Sequence, residues 1–263
     1  MNLKKKYDHK DHKIYLGSVF NLNKEISDKS IDLIFADPPY NMGKNFGNNK
    51  DKWKTIEDYL KWSKEWIKIV KPKLKDNGSF IIMGHPRFSA YLIPFLDSQF
   101  SYVNQIIYHY TDGMPEKKNF EKRYEVVLYY RNNPNNYYFD IESIRSPLVR
   151  YEKYSNKKGK NPGDVWQINR LRWNSKERVK ENDKIFHVSQ KPLRLIRRII
   201  LATTKKNCRV LDPFLGTGTT SVACKELGRK SFGIEINNKY LQKAINRLEE
   251  TKYNKEKFVY EER

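Results

Sequence analysis

The stretch CRVLDPFLGTGTTSVACKELGRKSFGIEI, residues 208–236, decides the architecture. It opens on a short apolar run, Cys208 to Leu211, and passes through a loop holding Gly216 and Gly218. Thr219 to Leu227 follows, closed by Gly228, and then a second apolar run from Lys230 to Ile236. Short apolar runs bounded by turn residues read as buried strands, and a helix-length segment ending in glycine reads as the helix between them. Lys239 to Glu249 continues as a further helix. Strand, glycine loop, helix, strand, helix is the grammar of a parallel sheet covered by crossover helices, so the expected class is α/β.

Toward the N-terminus the same alternation recurs. Lys13 to Phe20 and Ile31 to Ala36 read as strands. From Ile56 to Leu74, Leu60, Trp66, Ile67, Val70 and Leu74 recur at near-helical spacing. Asp76-Asn77-Gly78 reads as a turn, Ser79 to Gly84 as a strand, and Phe88 to Leu96 as a helix interrupted by Pro94. Tyr102 to Tyr110 and Tyr124 to Arg131 are further strands. From Asn132 to about Phe186 periodicity disappears, which suggests an insert or small subdomain. It returns at Lys191-Pro192, with proline suited to a first helical turn.

A glycine loop between a strand and a helix lets backbone approach a ligand while helix amides face it, the arrangement used for nucleotide-like cofactors. Glu235 ends the next strand, 19 residues beyond Gly216, where a carboxylate can take both hydroxyls of a ribose. A Walker loop would need Gly-Lys-Ser/Thr, but Gly218 is followed by Thr219. A dinucleotide fingerprint would need a third small residue at Ser221 and a second mononucleotide half, which is not evident.

The run Ile31 to Ala36 leads directly into Asp37-Pro38-Pro39-Tyr40. Average composition makes this tetrapeptide a chance event in roughly one chain per thousand. It stands at the carboxyl end of a buried strand, where open α/β sheets bind ligands. An exocyclic amine on a nucleobase is a poor nucleophile because its lone pair is delocalised into the ring. Asp37 can accept one of its N–H groups and the Pro38 carbonyl the other, while Tyr40 offers a face for stacking.

The motifs Ala36 to Lys44 (ADPPYNMGK), His187 to Pro192 (HVSQKP) and Val210 to Thr220 (VLDPFLGTGTT), in that order, resemble those of the beta-class S-adenosylmethionine-dependent DNA amino-methyltransferases. The resemblance covers nearly the whole chain. It implies a Rossmann-like methyltransferase sheet, permuted with the catalytic half first, plus a small basic target-recognition insert. The corresponding expectations are a catalytic half at 1–135, the insert at 136–186 and a cofactor-binding half at 187–263. The Asp-Pro-Pro-Tyr form is similar to adenine-N6 enzymes, whereas cytosine-N4 enzymes usually carry Ser in first position.

By the same resemblance, Phe214, Gly216, Gly218, Thr219 and Glu235 would contact S-adenosylmethionine, and Ser189 and Lys191 would lie near its methionine end. Asp37 would lie between cofactor and base, forming the catalytic set with Pro38 and Tyr40. No metal is implied: His9 and His12 have helical ligand spacing but no carboxylate or cysteine company. Two departures stand out. Gly17-Ser18 replaces the Gly-Asp of many relatives, and His187-Val188-Ser189-Gln190-Lys191-Pro192 lacks the first proline of the commoner His-Pro-Thr-Gln-Lys-Pro.

Charge points to the partner. The 263 residues hold 52 Lys+Arg against 31 Asp+Glu, a formal net charge of +21, which excludes an acidic surface and favours a polyanion. AT-rich codon usage accounts equally for part of the lysine. The excess clusters where periodicity fails: from Arg145 to Lys180 eleven basic residues face three acidic ones, a local net of +8, interleaved with Tyr151, Tyr154, Trp166 and Trp173. Lys157, Lys158, Lys160, Arg170, Arg172 and Trp173 are the candidate contacts to double-stranded DNA. Arg194, Arg197 and Arg198 read as a basic stripe opposite the apolar face of their helix, and Trp62 and Trp66 as helix packing.

The hydrophobic share, 38%, is enough for a folded core. No run approaches the roughly 20 apolar residues of a membrane span, and Met1-Asn2-Leu3-Lys4-Lys5-Lys6 has no apolar stretch behind it. Cys208 and Cys224 have no paired spacing. The expectation is a protein neither exported nor membrane-spanning, in a reducing cytoplasm. The family resemblance adds two partners, a second copy of the chain and a cognate restriction endonuclease acting on the same site. The rival readings are cytosine-N4 methylation, methylation of RNA or a protein amide, and a nucleic-acid-binding module with a vestigial cofactor site.

Overall fold

The computed structural model describes residues 3–22, 25–46, 51–112, 116–146, 158–187 and 189–253. In chain order these form β1 (Lys4–His9), β2 (His12–Leu16), β3 (Ile31–Ala36), α1 (Ile56–Val70), β4 (Leu74–Gly84), α2 (Pro86–Gln99), β5 (Ser101–His109) and β6 (Tyr124–Arg131). Then come β7 (Val165–Gln167), β8 (Lys180–Glu181), β9 (Lys184–Ile185), α3 (Leu193–Thr203), β10 (Arg209–Asp212), α4 (Thr219–Glu226), β11 (Lys230–Glu235) and α5 (Asn238–Glu250). One nine-stranded sheet runs β1-β2-β11-β10-β3-β4-β6-β5-β7, and β8 and β9 pair separately. The five strands β2, β11, β10, β3 and β4 are mutually parallel. β6 runs antiparallel to both neighbours.

Strand periodicity sorts the core into two layers. On one face Leu33 and Phe35 of β3 pack with Ile196 and Ile199 of α3 and Val222 and Ala223 of α4. On the other, Ile34 and Ala36 pack with Trp66 and Ile67 of α1 and Leu92 and Leu96 of α2. Alternate residues of one strand thus serve opposite helix layers, as the period of two requires. α5 closes a third apolar cluster with Ile14 and Leu215. α1 is capped where the sequence allows it, Thr55 Oγ1 accepting from the Asp58 amide at 3.1 Å.

The strands that lead into the two sequence motifs lie side by side in the sheet. β10, which leads into the glycine loop, pairs with β3, which leads into Asp37, through Val210 with Leu33 and Leu211 with Ile34. Both strands, with β11, therefore end at the same edge of the sheet, and Asp37, the glycine loop and Glu235 emerge together. Because β6 is reversed, its first residues, Tyr124 and Glu125, reach that edge as well.

Several sequence expectations need correction. His9 and His12 are not on a helix; they face each other across the β1–β2 hairpin, and His12 Nδ1 lies 2.9 Å from Ser231 Oγ. Pro94 does not interrupt α2, because it sits on the exposed side, where the carbonyl freed by its missing N–H meets solvent. Arg198 is no surface residue: it is 2% exposed, its guanidinium 5.0 Å from the Trp166 ring centroid. The aperiodic tract also reaches the core. β7 joins the sheet beside β5, and Ile144, Trp166 and Ile168 are buried. Three residues of strand are too few to register as a period.

Candidate active site

Asp212, the last residue of β10, organises the glycine loop. Its Oδ1 accepts from the Phe214 amide at 2.9 Å and its Oδ2 from the Thr220 hydroxyl at 2.6 Å, so one carboxylate ties both flanks of the loop. Burial pushes its carboxyl up to about 7. Gly216 and Gly218 both adopt positive φ, +56° and +84°. At Gly218 a Cβ would come within 2.9 Å of the Ala244 Cα, so that glycine permits close approach of the loop to α5.

Glu235 ends β11 beneath the same loop. Its Oε2 accepts from the Gly216 amide at 2.7 Å and its Oε1 from the Asn237 amide at 2.8 Å. Each oxygen keeps acceptor capacity for a further donor. Burial pushes the carboxyl up to about 7, against the lowering effect of the amides.

Across the β10–β3 seam lies a buried ionic cluster. Tyr40 donates its hydroxyl to Asp37 Oδ1 and lies 3.2 Å from Glu125 Oε2. The Lys191 ammonium sits 3.3 Å from Asp37 Oδ2, 3.0 Å from Glu125 Oε2 and 5.1 Å from the Tyr40 ring centroid. Burial raises the Asp37 carboxyl above its ordinary value; Lys191 opposes the shift and the Glu125 charge adds to it. Burial works against the charge of Lys191 too, but its two carboxylates outweigh that and raise it.

Both halves open onto one cavity of about 270 Å³. Its walls include Asp37, Pro38, Tyr40, Ser189, Lys191, Phe214, Gly216, Thr219 and Glu235, which the sequence singled out. Gly218 is not among them, since it faces α5. Trp62 is, contrary to a role in packing alone: it stands 4.8 Å from Trp53 and 5.7 Å from Phe214 between ring centroids, forming an aromatic wall. Gly17 and Ser18 also line the cavity, placing the departure from Gly-Asp inside the site. Ser189 Oγ accepts from the Lys44 ammonium at 2.8 Å. The His187 ring packs against Tyr240 at 4.6 Å and Phe46 at 5.8 Å. Burial, then neighbouring cations, drive its pKa down to about 3, so the imidazole is neutral.

Sequence reasoning missed Glu125, Lys44, Phe46 and Trp53. A single carboxylate inside the apolar run of β6 carries a weak signal, a charge at an otherwise buried position. No cluster of three His, Cys, Asp or Glu suited to a metal occurs among the described residues.

None of the candidate DNA contacts lines this cavity. Lys157 lies outside the described residues. Lys158 is exposed, 3.9 Å from Glu142, and Lys160 exchanges backbone hydrogen bonds with Ser146. Arg170 donates to the Asp112 carbonyl at 2.8 Å and stacks 4.2 Å from the Tyr110 ring centroid, so it braces the β5–β6 connection. Arg172 uses its amide on Ser175 Oγ. Trp173 is half-exposed beneath the Lys180 ammonium, 3.8 Å from its ring centroid.

The central parallel strands of this mixed sheet thus carry Asp-Pro-Pro-Tyr and the glycine loop at one edge. The sequence description of a DNA methylase family, the N6/N4 methyltransferases, matches residues 31–246. The chain belongs to that family. Among its relatives, the type II methyltransferase M.HpaI of Haemophilus parainfluenzae is 32% identical over 91% of this chain and 74% of its own length. The DNA adenine methyltransferase YhdJ of Escherichia coli strain K12 is 37% identical over 86% of this chain and 79% of its own. The M1.HpyAVI structure, solved as a complex with S-adenosylmethionine, superposes with a TM-score of 0.64 at 26% identity, covering 90% of this chain and 98% of that one. The cytosine-N4-specific PvuII DNA methyltransferase shares the fold, with a TM-score of 0.71 at 18% identity over 90% and 86% of the two chains. No helix of this DNA methylase, among the described residues, is long and apolar enough to cross a membrane.

Proposed function

We propose that this DNA methylase transfers a methyl group from S-adenosylmethionine to N6 of adenine in double-stranded DNA. The observation that carries the reading is the position of Asp37, whose carboxylate stands at the end of β3 on the wall of a cavity shared with the glycine loop and Glu235.

The residues present fit the cofactor. Glu235 offers two partly satisfied carboxylate oxygens to ribose hydroxyls. Positive φ at Gly216 turns the loop, and a side chain there would meet the His187 ring. Phe214, Trp53 and Trp62 make the flat apolar wall an adenine ring needs. S-adenosylmethionine supplies an electrophilic methyl group on a sulfonium. The chain's own work is to orient the acceptor. Asp37 accepts one N–H of the amine and the Pro38 carbonyl the other, turning the nitrogen lone pair toward the methyl, while Tyr40 stacks on the flipped base. As the N–C bond forms, the methyl–sulfur bond would break and the thioether would leave. The proton the amine gives up would pass to the Asp37 carboxylate that accepts its N–H, so no covalent bond to the enzyme is required.

Asp in the first motif position, and YhdJ being named an adenine enzyme, favour adenine over cytosine. The test is incubation with duplex DNA and methyl-labelled S-adenosylmethionine, then nuclease digestion and mass spectrometry. N6-methyladenine is expected; N4-methylcytosine in its place would overturn the choice of base.

The basic tract from Arg145 to Lys180 is proposed to hold the DNA backbone. Replacing Lys157, Lys158 and Lys160 with Gln should reduce the log–log salt dependence of DNA binding by up to about 3, roughly one for each phosphate that is no longer neutralised. Fluorescence anisotropy titrations across a range of salt measure this. An unchanged slope would make these lysines part of a solvated loop. The resemblance further suggests a homodimer and a cognate endonuclease as partners.

A further inference from the structure

Glu125 has no part in the chemistry so far described, yet it is embedded in the ionic cluster. Its Oε2 is 3.2 Å from the Tyr40 hydroxyl and 3.0 Å from the Lys191 ammonium. Those two groups are also the partners of Asp37, on Oδ1 and Oδ2 respectively. Two carboxylates therefore share one ammonium, which has three protons to donate, and compete for one phenol. A phenol has a single proton to donate, so whichever carboxylate receives it leaves the other with an open acceptor position. As the structure stands, each oxygen of Asp37 already accepts from one internal donor, so a substrate amine would have only the remaining lone pairs, on a carboxylate whose charge is shared with a phenol and an ammonium. Glu125 itself does not line the cavity.

We infer that Glu125 is a positioning residue for methyl transfer: it takes the Tyr40 hydroxyl and the Lys191 ammonium onto its own carboxylate, freeing Asp37 to accept from the target amine. The inference rests on the proposed role of Asp37. For the ammonium the distances favour the exchange, since Lys191 is already closer to Glu125 than to Asp37; the Tyr40 hydroxyl, which donates to Asp37 and stands 3.2 Å from Glu125, is the group that must turn. The charges favour it too. Burial opposes ionisation of Glu125, but Lys191, with help from Lys44 and Tyr40, outweighs burial and holds the carboxyl below its ordinary value. Glu125 thus stays ionised and able to accept.

The other groups acting on this pair belong to several elements. Lys191 and Lys44 favour ionised Asp37, while Asp212, at the end of β10, carries a like charge toward it. Tyr108 and Tyr110 around the end of β5, and His85 before α2, feel the charge of Glu125. All of them remain in a Glu125→Gln variant, so its effect isolates one negative charge. Removing that charge relieves a repulsion that raises the Asp37 carboxyl, so Asp37 should ionise at lower pH than in the parent enzyme.

The experiment measures kcat against pH at saturating S-adenosylmethionine and duplex DNA, for wild type, Glu125→Gln and Glu125→Asp, with cofactor affinity by calorimetry as the check on folding. The Gln variant should keep its cofactor affinity, lose roughly tenfold from the plateau of kcat, and show the acid limb of its profile displaced to lower pH. Glu125→Asp keeps the charge but shortens the reach, so its plateau should fall while the limb stays in place. A lowered plateau with an unmoved limb in the Gln variant makes Glu125 merely structural and overturns the inference, as does an undiminished plateau in either variant. If the Gln variant does not bind cofactor, a displaced limb in Glu125→Asp overturns it equally. A wild-type enzyme that methylates no adenine overturns the reading of Asp37 instead, and is seen before either variant is compared.

Discussion

Asp37→Ala is expected to lower methyl transfer to duplex DNA by roughly a hundredfold to a thousandfold, the scale on which one preorganised hydrogen-bonding group acts in a transition state. The fold should survive, because Asp37 lies beyond the last residue of β3 and takes no part in the sheet. Its removal also leaves no orphaned cation: the Lys191 ammonium keeps Glu125 at 3.0 Å, so the large penalty for an unpaired buried charge does not arise. S-adenosylmethionine affinity should change little, since the ribose and loop contacts are made elsewhere. Single-turnover transfer of labelled methyl, with calorimetry beside it, separates the two effects. Full activity in this variant would overturn the mechanism.

Glu235→Ala should do the reverse and act on binding. A lost hydrogen bond to a charged group is worth about 1.5 to 3 kcal/mol, one to two orders of magnitude in affinity at about 1.4 kcal/mol per tenfold. The substitution also deprives the Gly216 and Asn237 amides of their acceptor. pH provides a second signature. With its carboxyl raised to about 7, Glu235 is largely protonated below neutrality, and protonation turns one oxygen into a donor and removes the charge that makes both strong acceptors for ribose hydroxyls. Wild-type affinity should therefore strengthen as pH rises through about 7, and the Glu235→Ala variant should lose that component. Equal affinities for the two proteins would remove Glu235 from the cofactor site.

What the sequence made legible follows from where its information is local. The glycine loop, the strand before it and Glu235 lie within one continuous unit, so spacing alone predicted that they would meet. Asp37 was legible because prolines and tyrosine beside an acid are rare together. Lys191 was reached only through resemblance, since lysine is abundant in this chain and one more carries no signal. Glu125 was not reached at all: its significance depends on Lys191 and Tyr40, which pair with it only after β6 has been inserted backwards between β4 and β5. Arg198 was misjudged for a related reason. Its helix presents an apolar stripe that locates the main core, but Trp166, which covers the arginine, comes from a tract with too few regular residues to announce a strand.

The seam between β3 and β10 has a consequence for synthesis. Leu33 and Val210, which pair across it, are 177 residues apart, and β2 meets β11 through His12 and Ser231 across a still longer separation. Pairings this remote close late, because the loop entropy must be overcome before they form. On the ribosome, β2 and β3 emerge early and wait with one edge each unpaired until β10 and β11 follow. Apolar edges left open in this way are sites for pairing with other chains. Nascent protein should therefore depend on chaperones until roughly the last strand is made, and any methyl-transfer competence should arrive abruptly, with the closing of the sheet, rather than by stages.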